Sequence, residues 1–159
     1  MQIQNTPTHR SYARRKWKWI GTVLFLGYIT VLIYSTLLTF NYYVYGKSFN
    51  LVLFESIELM WNSGNYWLMF KNIIGNILLF MPLGFLLPLI FRRLSRFKYM
   101  FWITFGTSTV IEYSQFMYAN RIFDIDDIFL NGVGGLIGLL FFKICAFMYR
   151  LYERNVKRK

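Results

Sequence analysis

Residues 112–138 read EYSQFMYANRIFDIDDIFLNGVGGLIG and hold four of the seven acidic side chains of the chain. The four are Glu112, Asp124, Asp126 and Asp127, and Gln115, Arg121 and Asn131 lie around them. Apolar segments flank the stretch, and a charged side chain at the centre of a membrane helix costs ~2.5–3.5 kcal/mol on insertion scales. Ionisable residues in such surroundings are a functional-site hypothesis by default, so this stretch is the candidate site.

The composition around this stretch indicates a membrane protein. The chain has 159 residues, of which 56% are hydrophobic and only 16% are charged, which is less charge than a soluble domain exposes. Lys71 and Arg92 enclose an uncharged run that spans ~30 Å as a helix, the thickness of a bilayer core. Three further apolar runs resemble it, so we predict an all-α membrane protein, a bundle of about four transmembrane helices with an outer interfacial segment.

This prediction divides the chain into three regions. They are a basic tail at 1–18, a transmembrane domain at 19–149 with spans at about 19–41, 72–91, 99–120 and 128–149, and a second basic tail at 150–159.

The basic residues alternate between loops. The net charge of +11 would suggest a nucleic-acid partner in a soluble chain. Here the positive charges concentrate in residues 10–18, 92–98 and 150–159, whereas the other two loops hold only Lys47, Lys71 and Arg121. The positive-inside rule then predicts a multi-pass protein with both termini in the cytoplasm. The acidic stretch would face outward, and we expect no nucleic-acid partner.

The segments before the candidate site have two different characters. The first span has aromatic residues at both ends, which predicts a lipid-facing strut. Residues 42–70 form an apolar outer loop in which Glu55 and Glu58 lie one helical turn apart. A short helix in the outer interface fits this loop, as does a re-entrant piece that caps the bundle.

Polar residues recur at helical spacing in the last three spans, which places them on single helix faces. The three sets are Asn72 and Asn76; Thr104, Ser108, Glu112 and Gln115; and Asp127, Asn131, Gly134 and Gly138. Glycines four residues apart also allow a close helix contact. We predict one ligand-binding site made of Asn72, Asn76, Glu112, Gln115, Arg121, Asp124, Asp127 and Asn131. The alternatives are purely structural: interhelical bonds for the asparagines, a paired Glu112, and Asp residues that cap a helix or pair with Arg121.

The chemistry of this constellation stays open at the level of sequence. Asp124 and Asp127 could hold a hard divalent cation, or Arg121 could take an anionic head group while the carboxylates accept from hydroxyl and N–H groups. We find no HExxH, GxSxG or P-loop pattern, and His9 and Cys145 are single residues that cannot form a zinc site. No cofactor, dedicated metal site or catalytic residue is therefore predicted, and the pattern argues against a standard hydrolase.

The motifs that carry a resemblance are NIIGNILLFMPLGFLLPLIF at 72–91, E-x-x-Q at 112–115, and R-x-x-D-x-D-D-x-x-x-N-x-x-G-G-x-x-G at 121–138. In this order and spacing they resemble the VanZ-like family of small bacterial membrane proteins, over residues 50–140. The motif positions are Asn72, Asn76, Pro82, Gly84, Glu112, Gln115, Arg121, Asp124, Asp127, Asn131 and Gly135. The chain departs from the family pattern N-L-x-P-F at residues 50–54, because Leu53 stands at the proline position.

The resemblance implies a protein of four or five membrane helices in the bacterial envelope. The family's namesake is associated with resistance to the lipoglycopeptide teicoplanin by a route that does not remodel the peptidoglycan precursor. We expect an envelope protein that contributes to tolerance of glycopeptide or lipoglycopeptide antibiotics. Its expected partners are membrane lipids and either a lipid-linked envelope precursor or a lipoglycopeptide, and a homo-oligomer is compatible with this reading.

Two other classes of function stay open. The first is an intramembrane metal-dependent enzyme that acts on a lipid or a polyprenyl phosphate. The second is a proton-coupled transporter that uses Glu112, although four spans without an internal repeat argue against a monomeric transporter.

Overall fold

The structure is a computed structural model, and it describes residues 9–38, 48–118 and 121–156. The helices in this part of the chain are α1 (His9–Ile33), α2 (Glu55–Asn62), α3 (Tyr66–Ile90), α4 (Phe97–Tyr118) and α5 (Ile125–Val156). A π-helical turn, Tyr34–Leu38, continues α1, and a 3₁₀ turn, Arg92–Ser95, joins α3 to α4. Two short strands, β1 (Phe49–Asn50) and β2 (Phe123–Asp124), complete the description. The predicted all-α class is confirmed.

Three segments are long and apolar enough to cross a membrane, namely Arg15–Leu37, Tyr66–Ile90 and Ile125–Val156. Large apolar side chains such as Val23, Phe70 and Phe147 are exposed on these helices, as expected for residues that contact lipid. The chain is therefore a membrane protein. Helix α4 is long enough to span ~33 Å, but its polar stripe lowers its hydropathy, so a fourth crossing stays a prediction.

The helices extend beyond the predicted spans. Helix α1 begins at His9 rather than at 19, α3 begins at Tyr66 rather than at 72, and α5 continues to Val156. A charged residue ends an apolar window but does not interrupt the backbone hydrogen bonds of a helix. Helices α1 and α5 consequently extend into the sequence assigned to the basic tails, and α3 begins in the sequence assigned to the outer loop.

Helix α3 lies at the centre of the bundle, between α5 and α1. Gly134 of α5 lies against Ile77 of α3, and Gly138 lies against Met81, so the two helices run in parallel. The buried core between the helices includes Phe80, Leu83, Met100 and Leu139. Its apolar packing leaves one end of the bundle, at the start of α5, for the polar residues.

Helix α1 is more than a lipid-facing strut. Its exposed face carries apolar residues such as Val23, but Leu32 and the Thr36 side chain are buried. The Tyr28 hydroxyl donates a hydrogen bond to the Leu79 carbonyl of α3, at 3.0 Å. Pro82 has no N–H, so the Leu78 carbonyl of α3 lacks its helical donor. The Leu79 carbonyl is next to it. The strut prediction was wrong for this second face, because the sequence does not show the long-range contact.

The predicted polar stripe of α4 is confirmed as an inward face. Thr104, Ser108, Glu112 and Gln115 are all buried, whereas Trp102 and Val110 of the same helix are exposed. Buried polar groups need partners in a membrane. The stripe therefore requires polar residues on the helices that face it.

Candidate functional site

The outer segment is attached to the start of α5 by a short parallel pairing. Strand β1 pairs with β2, so that Phe49 aligns with Phe123 and Asn50 aligns with Asp124. The Phe123 N–H also donates to the Ser48 carbonyl, at 3.1 Å. This pairing brings residues that are far apart in sequence to one end of the bundle, where α2 then begins. Of the two alternatives for the outer loop, the structure has a short helix, and no residue of α2 is buried.

Asp126 holds the start of α2. Its carboxylate accepts hydrogen bonds from the backbone N–H groups of Phe54 and Ser56, the latter at 3.0 Å. Helix α2 has no side-chain cap of its own, so a carboxylate from another element satisfies donors that every helix leaves free at its N-terminus. Asp126 is only 1% exposed. We conclude that the most buried carboxylate of the acidic stretch has a structural role.

Asp124 has two structural tasks. Its Oδ1 atom accepts from the Asp126 N–H at 2.9 Å, which caps the N-terminus of α5. The same atom accepts from Asn50 Nδ2 at 3.3 Å, and Oδ2 accepts from the Ser56 hydroxyl. The prediction that one Asp caps this helix is thus confirmed. These bonds point the Asp124 side chain toward the outer segment.

A polar cavity of about 240 Å³ lies between α1, α3, α4 and α5, just inside the start of α5. Its lining residues are Ser35, Thr36, Asn76, Leu79, Ile111, Glu112, Gln115, Arg121, Asp127 and Asn131. All four long helices contribute to it. The cavity is the place where the inward polar faces meet.

Four interactions organise the cavity. Asn76 Nδ2 donates to Asp127 Oδ1 at 2.6 Å, and the backbone N–H of Asp124 donates to Glu112 Oε1 at 3.1 Å. Gln115 Nε2 donates to the Thr36 carbonyl at 2.9 Å. Arg121 lies close enough to both Glu112 and Asp127 to attract them electrostatically. The cavity therefore holds two carboxylates and one guanidinium group in a low-dielectric surrounding.

Asn131 has an unused acceptor. Its Nδ2 atom donates to the Ser108 hydroxyl at 2.9 Å, which orients the amide. Its Oδ1 atom is buried and has no hydrogen-bond partner within residues 9–38, 48–118 and 121–156. Buried polar atoms almost always have a partner, so such an atom in a cavity wall is a candidate ligand contact.

The structure brings together six of the eight predicted site residues. Asn76, Glu112, Gln115, Arg121, Asp127 and Asn131 line the cavity. Asn72 is not in the lining, although its side chain interacts with Asp127 from the next turn of α3. Asp124 is not in the lining either, because its side chain bonds to Ser56 and Asn50 instead.

Sequence reasoning missed two polar lining residues, Ser35 and Thr36, which belong to the π-helical turn that continues α1. They lie in an apolar run without a polar periodicity, so no local signal marked them. Among residues 9–38, 48–118 and 121–156, no group of three or more His, Cys, Asp or Glu side chains is placed to hold a metal ion.

Comparison with known proteins shows the family to which the chain belongs. The family model described as VanZ/LLP1 matches residues 25–146, which include every residue that lines the cavity. The chain belongs to the VanZ/LLP1 family. The Enterococcus faecium protein named Protein VanZ is 33% identical over 126 residues, which make up 79% of this chain and 66% of that protein. The matched region thus spans just under two thirds of that relative's length. No solved structure matches the chain.

The motif residues of the family lie close together in the structure. The six residues that converge come from the three motifs at 72–91, 112–115 and 121–138 by which the chain resembles VanZ-like proteins. The motif glycine Gly84 lies against the backbone of Gly135, another motif position. In this VanZ/LLP1 protein the motif residues therefore line one polar cavity and form the close helix contact beside it.

Proposed function

We propose that this protein contributes to tolerance of glycopeptide or lipoglycopeptide antibiotics such as teicoplanin in a bacterial cell membrane. The supporting observation is the polar cavity built from the family's motif residues. A cavity with two carboxylates, a guanidinium group and amide side chains is costly in a membrane protein, which favours a binding role over a purely structural one. In this proposal the cavity binds a polar group of an envelope amphiphile, and no covalent chemistry is needed.

The proposal includes an orientation in the membrane. Basic residues flank the N-terminal end of α1, the turn between α3 and α4 and the C-terminal end of α5, which all lie at one end of the bundle. The cavity and the acidic residues lie at the other end. By the positive-inside rule the basic end is cytoplasmic, so the protein is multi-pass, both termini are inside, and the cavity lies in the outer half of the bilayer.

The test is expression of the full chain in a susceptible bacterial host that lacks the gene. We expect the wild type to raise the minimal inhibitory concentration of teicoplanin several-fold. Asp127→Asn and Glu112→Gln should return it to the empty-vector value, because each replaces a carboxyl group of the cavity with an amide of the same size. Glu58→Gln is the matched control, since Glu58 is exposed on α2 outside the cavity.

Membrane abundance must be measured for each variant by immunoblotting of an epitope tag. Unchanged tolerance in both cavity variants at equal abundance would refute the proposal. A double variant, Arg121→Gln with Asp127→Asn, is compared with the single variants Arg121→Gln and Asp127→Asn to separate a ligand role from a structural one. If the charges only balance each other, the double variant should be less impaired than the single variants, because no unpaired charge stays buried. If they bind a ligand, all three variants should be equally inactive.

A further inference from the structure

We propose that the cavity binds a primary ammonium group of an amphiphilic molecule. This inference rests on the proposed function and specifies the chemistry of its ligand. Three observations carry it: the acceptors left in the cavity, the balance of charge, and the absence of aromatic residues from the lining.

The cavity contains acceptors that the protein does not fully use. Glu112 accepts one hydrogen bond, from the Asp124 N–H, and Asp127 accepts from Asn76 and also interacts with Asn72. The Oδ1 atom of Asn131 has no hydrogen-bond partner among the described residues, and this side chain is only 5% exposed. Two carboxyl groups and one amide oxygen in the cavity lining match the three N–H donors of a primary ammonium, which has no acceptor of its own.

The charge of the lining also favours a cation. In the part of the chain that the structure describes, the lining has two acidic groups, Glu112 and Asp127, and one basic group, Arg121. An ammonium beside the two acidic side chains would favour their ionised form and would be held by charge-assisted hydrogen bonds. An anionic ligand would meet the opposite balance and would leave the Asn131 acceptor without a donor.

The lining discriminates between classes of ammonium. Quaternary ammonium groups have no N–H donors and are recognised by cages of aromatic rings. Among the residues that the structure describes, none of the ten that line the cavity is aromatic. The arrangement therefore suits a primary amine and not a trimethylated one.

Two kinds of molecule could present this group: a membrane lipid with an ethanolamine head group, or an amine-bearing amphiphile that arrives from outside the cell. The cavity volume of about 240 Å³ is sufficient for an ammonium head group and the carbon atoms next to it. The rest of the molecule would remain in the bilayer or at its surface. The experiment below separates the two sources.

The test uses the full-length protein purified in a maltoside detergent and titrated calorimetrically with octylammonium chloride. Octyltrimethylammonium chloride has the same alkyl chain and partitions into micelles in a similar way, so it controls for non-specific uptake. We expect saturable binding of octylammonium that is about tenfold tighter or more than that of the quaternary probe. Equal affinity for the two probes in the wild-type protein would overturn the proposal without the use of any variant.

Variants then locate the binding. Asp127→Asn and Glu112→Gln should each weaken octylammonium binding about tenfold, whereas Glu58→Gln should leave it unchanged. Wild-type affinity in both cavity variants would place the ammonium elsewhere and would overturn the proposal. In nanodiscs, weaker octylammonium binding with phosphatidylethanolamine than with phosphatidylcholine supports a lipid source. Equal binding in the two lipids supports an amine from outside.

The proposed function and this inference can fail separately. Selective ammonium binding in a protein that gives no antibiotic tolerance would refute the proposed function alone. Tolerance that depends on Asp127, together with equal affinity for the two octyl probes, would refute the ammonium ligand alone.

Discussion

Leu53 is the position at which residues 50–54 differ from the family pattern, and it lies in a tight turn with Phe54. The Glu55 N–H donates to the Val52 carbonyl at 3.3 Å, and Phe54 has φ 70° and ψ 7°. Leu53 is not among the residues with positive φ. This combination defines a type II turn with Leu53 at its second position, where proline is favoured. The proline of the family pattern N-L-x-P-F would thus stand at a position that suits it.

We expect Leu53→Pro to stabilise the protein by about 0.4–1 kcal/mol, because proline restricts the unfolded chain at a position whose φ it can adopt. The measurement is the thermal unfolding midpoint in detergent. Phe54→Pro is the matched control one residue along, and it should lower the midpoint. Proline cannot adopt φ 70°, and the change removes the N–H that donates to Asp126. A lower midpoint for Leu53→Pro would show that this turn is not type II.

Asp124, Asp126 and Asp127 lie within four residues but have three different environments. Asp126 caps α2, Asp124 caps α5 and holds Ser56, and Asp127 lines the cavity with a bond from Asn76. Their spacing around the first turn of α5 points them in different directions. Only one of the three is therefore available for a ligand, which is why Asp127 carries the tests above.

The contact between α3 and α5 depends on helix faces without side chains. A Cβ atom at Gly134 would overlap the Ile77 carbonyl oxygen, and one at Gly138 would overlap the Met81 carbonyl oxygen. Small residues allow this backbone approach, and close packing is a main source of helix association in membranes. The same contact positions Asn76 of α3 beside Asp127 of α5.

We expect Gly134→Leu and Gly138→Leu to destabilise the bundle by about 1–3 kcal/mol, because neither backbone can move away without loss of the interface. The measurement is the yield of monodisperse protein after detergent extraction and size-exclusion chromatography. Gly75→Leu in α3 and Gly106→Leu in α4 are matched controls, since nothing lies within 4 Å of a Cβ atom at either position. Wild-type yield for both α5 variants would mean that this face contacts lipid.

The whole molecule is polarised along the bundle axis. One end holds the basic residues that flank α1, the α3–α4 turn and α5, and the other holds the cavity and the outer segment. This asymmetry is the basis of the proposed orientation.

Cysteine labelling in intact cells tests the orientation. The background is Cys145→Ala, because Cys145 is free and exposed on α5. We expect a cysteine in place of Glu58 to react with a membrane-impermeant maleimide from outside. A cysteine in place of Arg93, at the opposite end, should react only after permeabilisation. The reverse pattern, or equal labelling at both positions, would contradict the proposed topology.

Much of the architecture was predictable from local patterns. Helical spacing identified the inward face Thr104, Ser108, Glu112 and Gln115, and the glycine spacing in α5 identified a close helix contact. Both predictions work because side chains three or four residues apart share a helix face whatever the rest of the chain does. The apolar runs likewise indicated membrane helices, although not where these helices begin and end.

Tertiary contacts determined which polar residues line the cavity and which have structural roles. Thr36 joins the cavity through Gln115, 79 residues away, and the start of α2 meets Asp126 across 70 residues or more. A hydropathy pattern could not show either contact, because both depend on which elements become neighbours and at what register. Local spacing thus selected the polar residues, and the packing of the helices determined which of them face the cavity and which hold the fold.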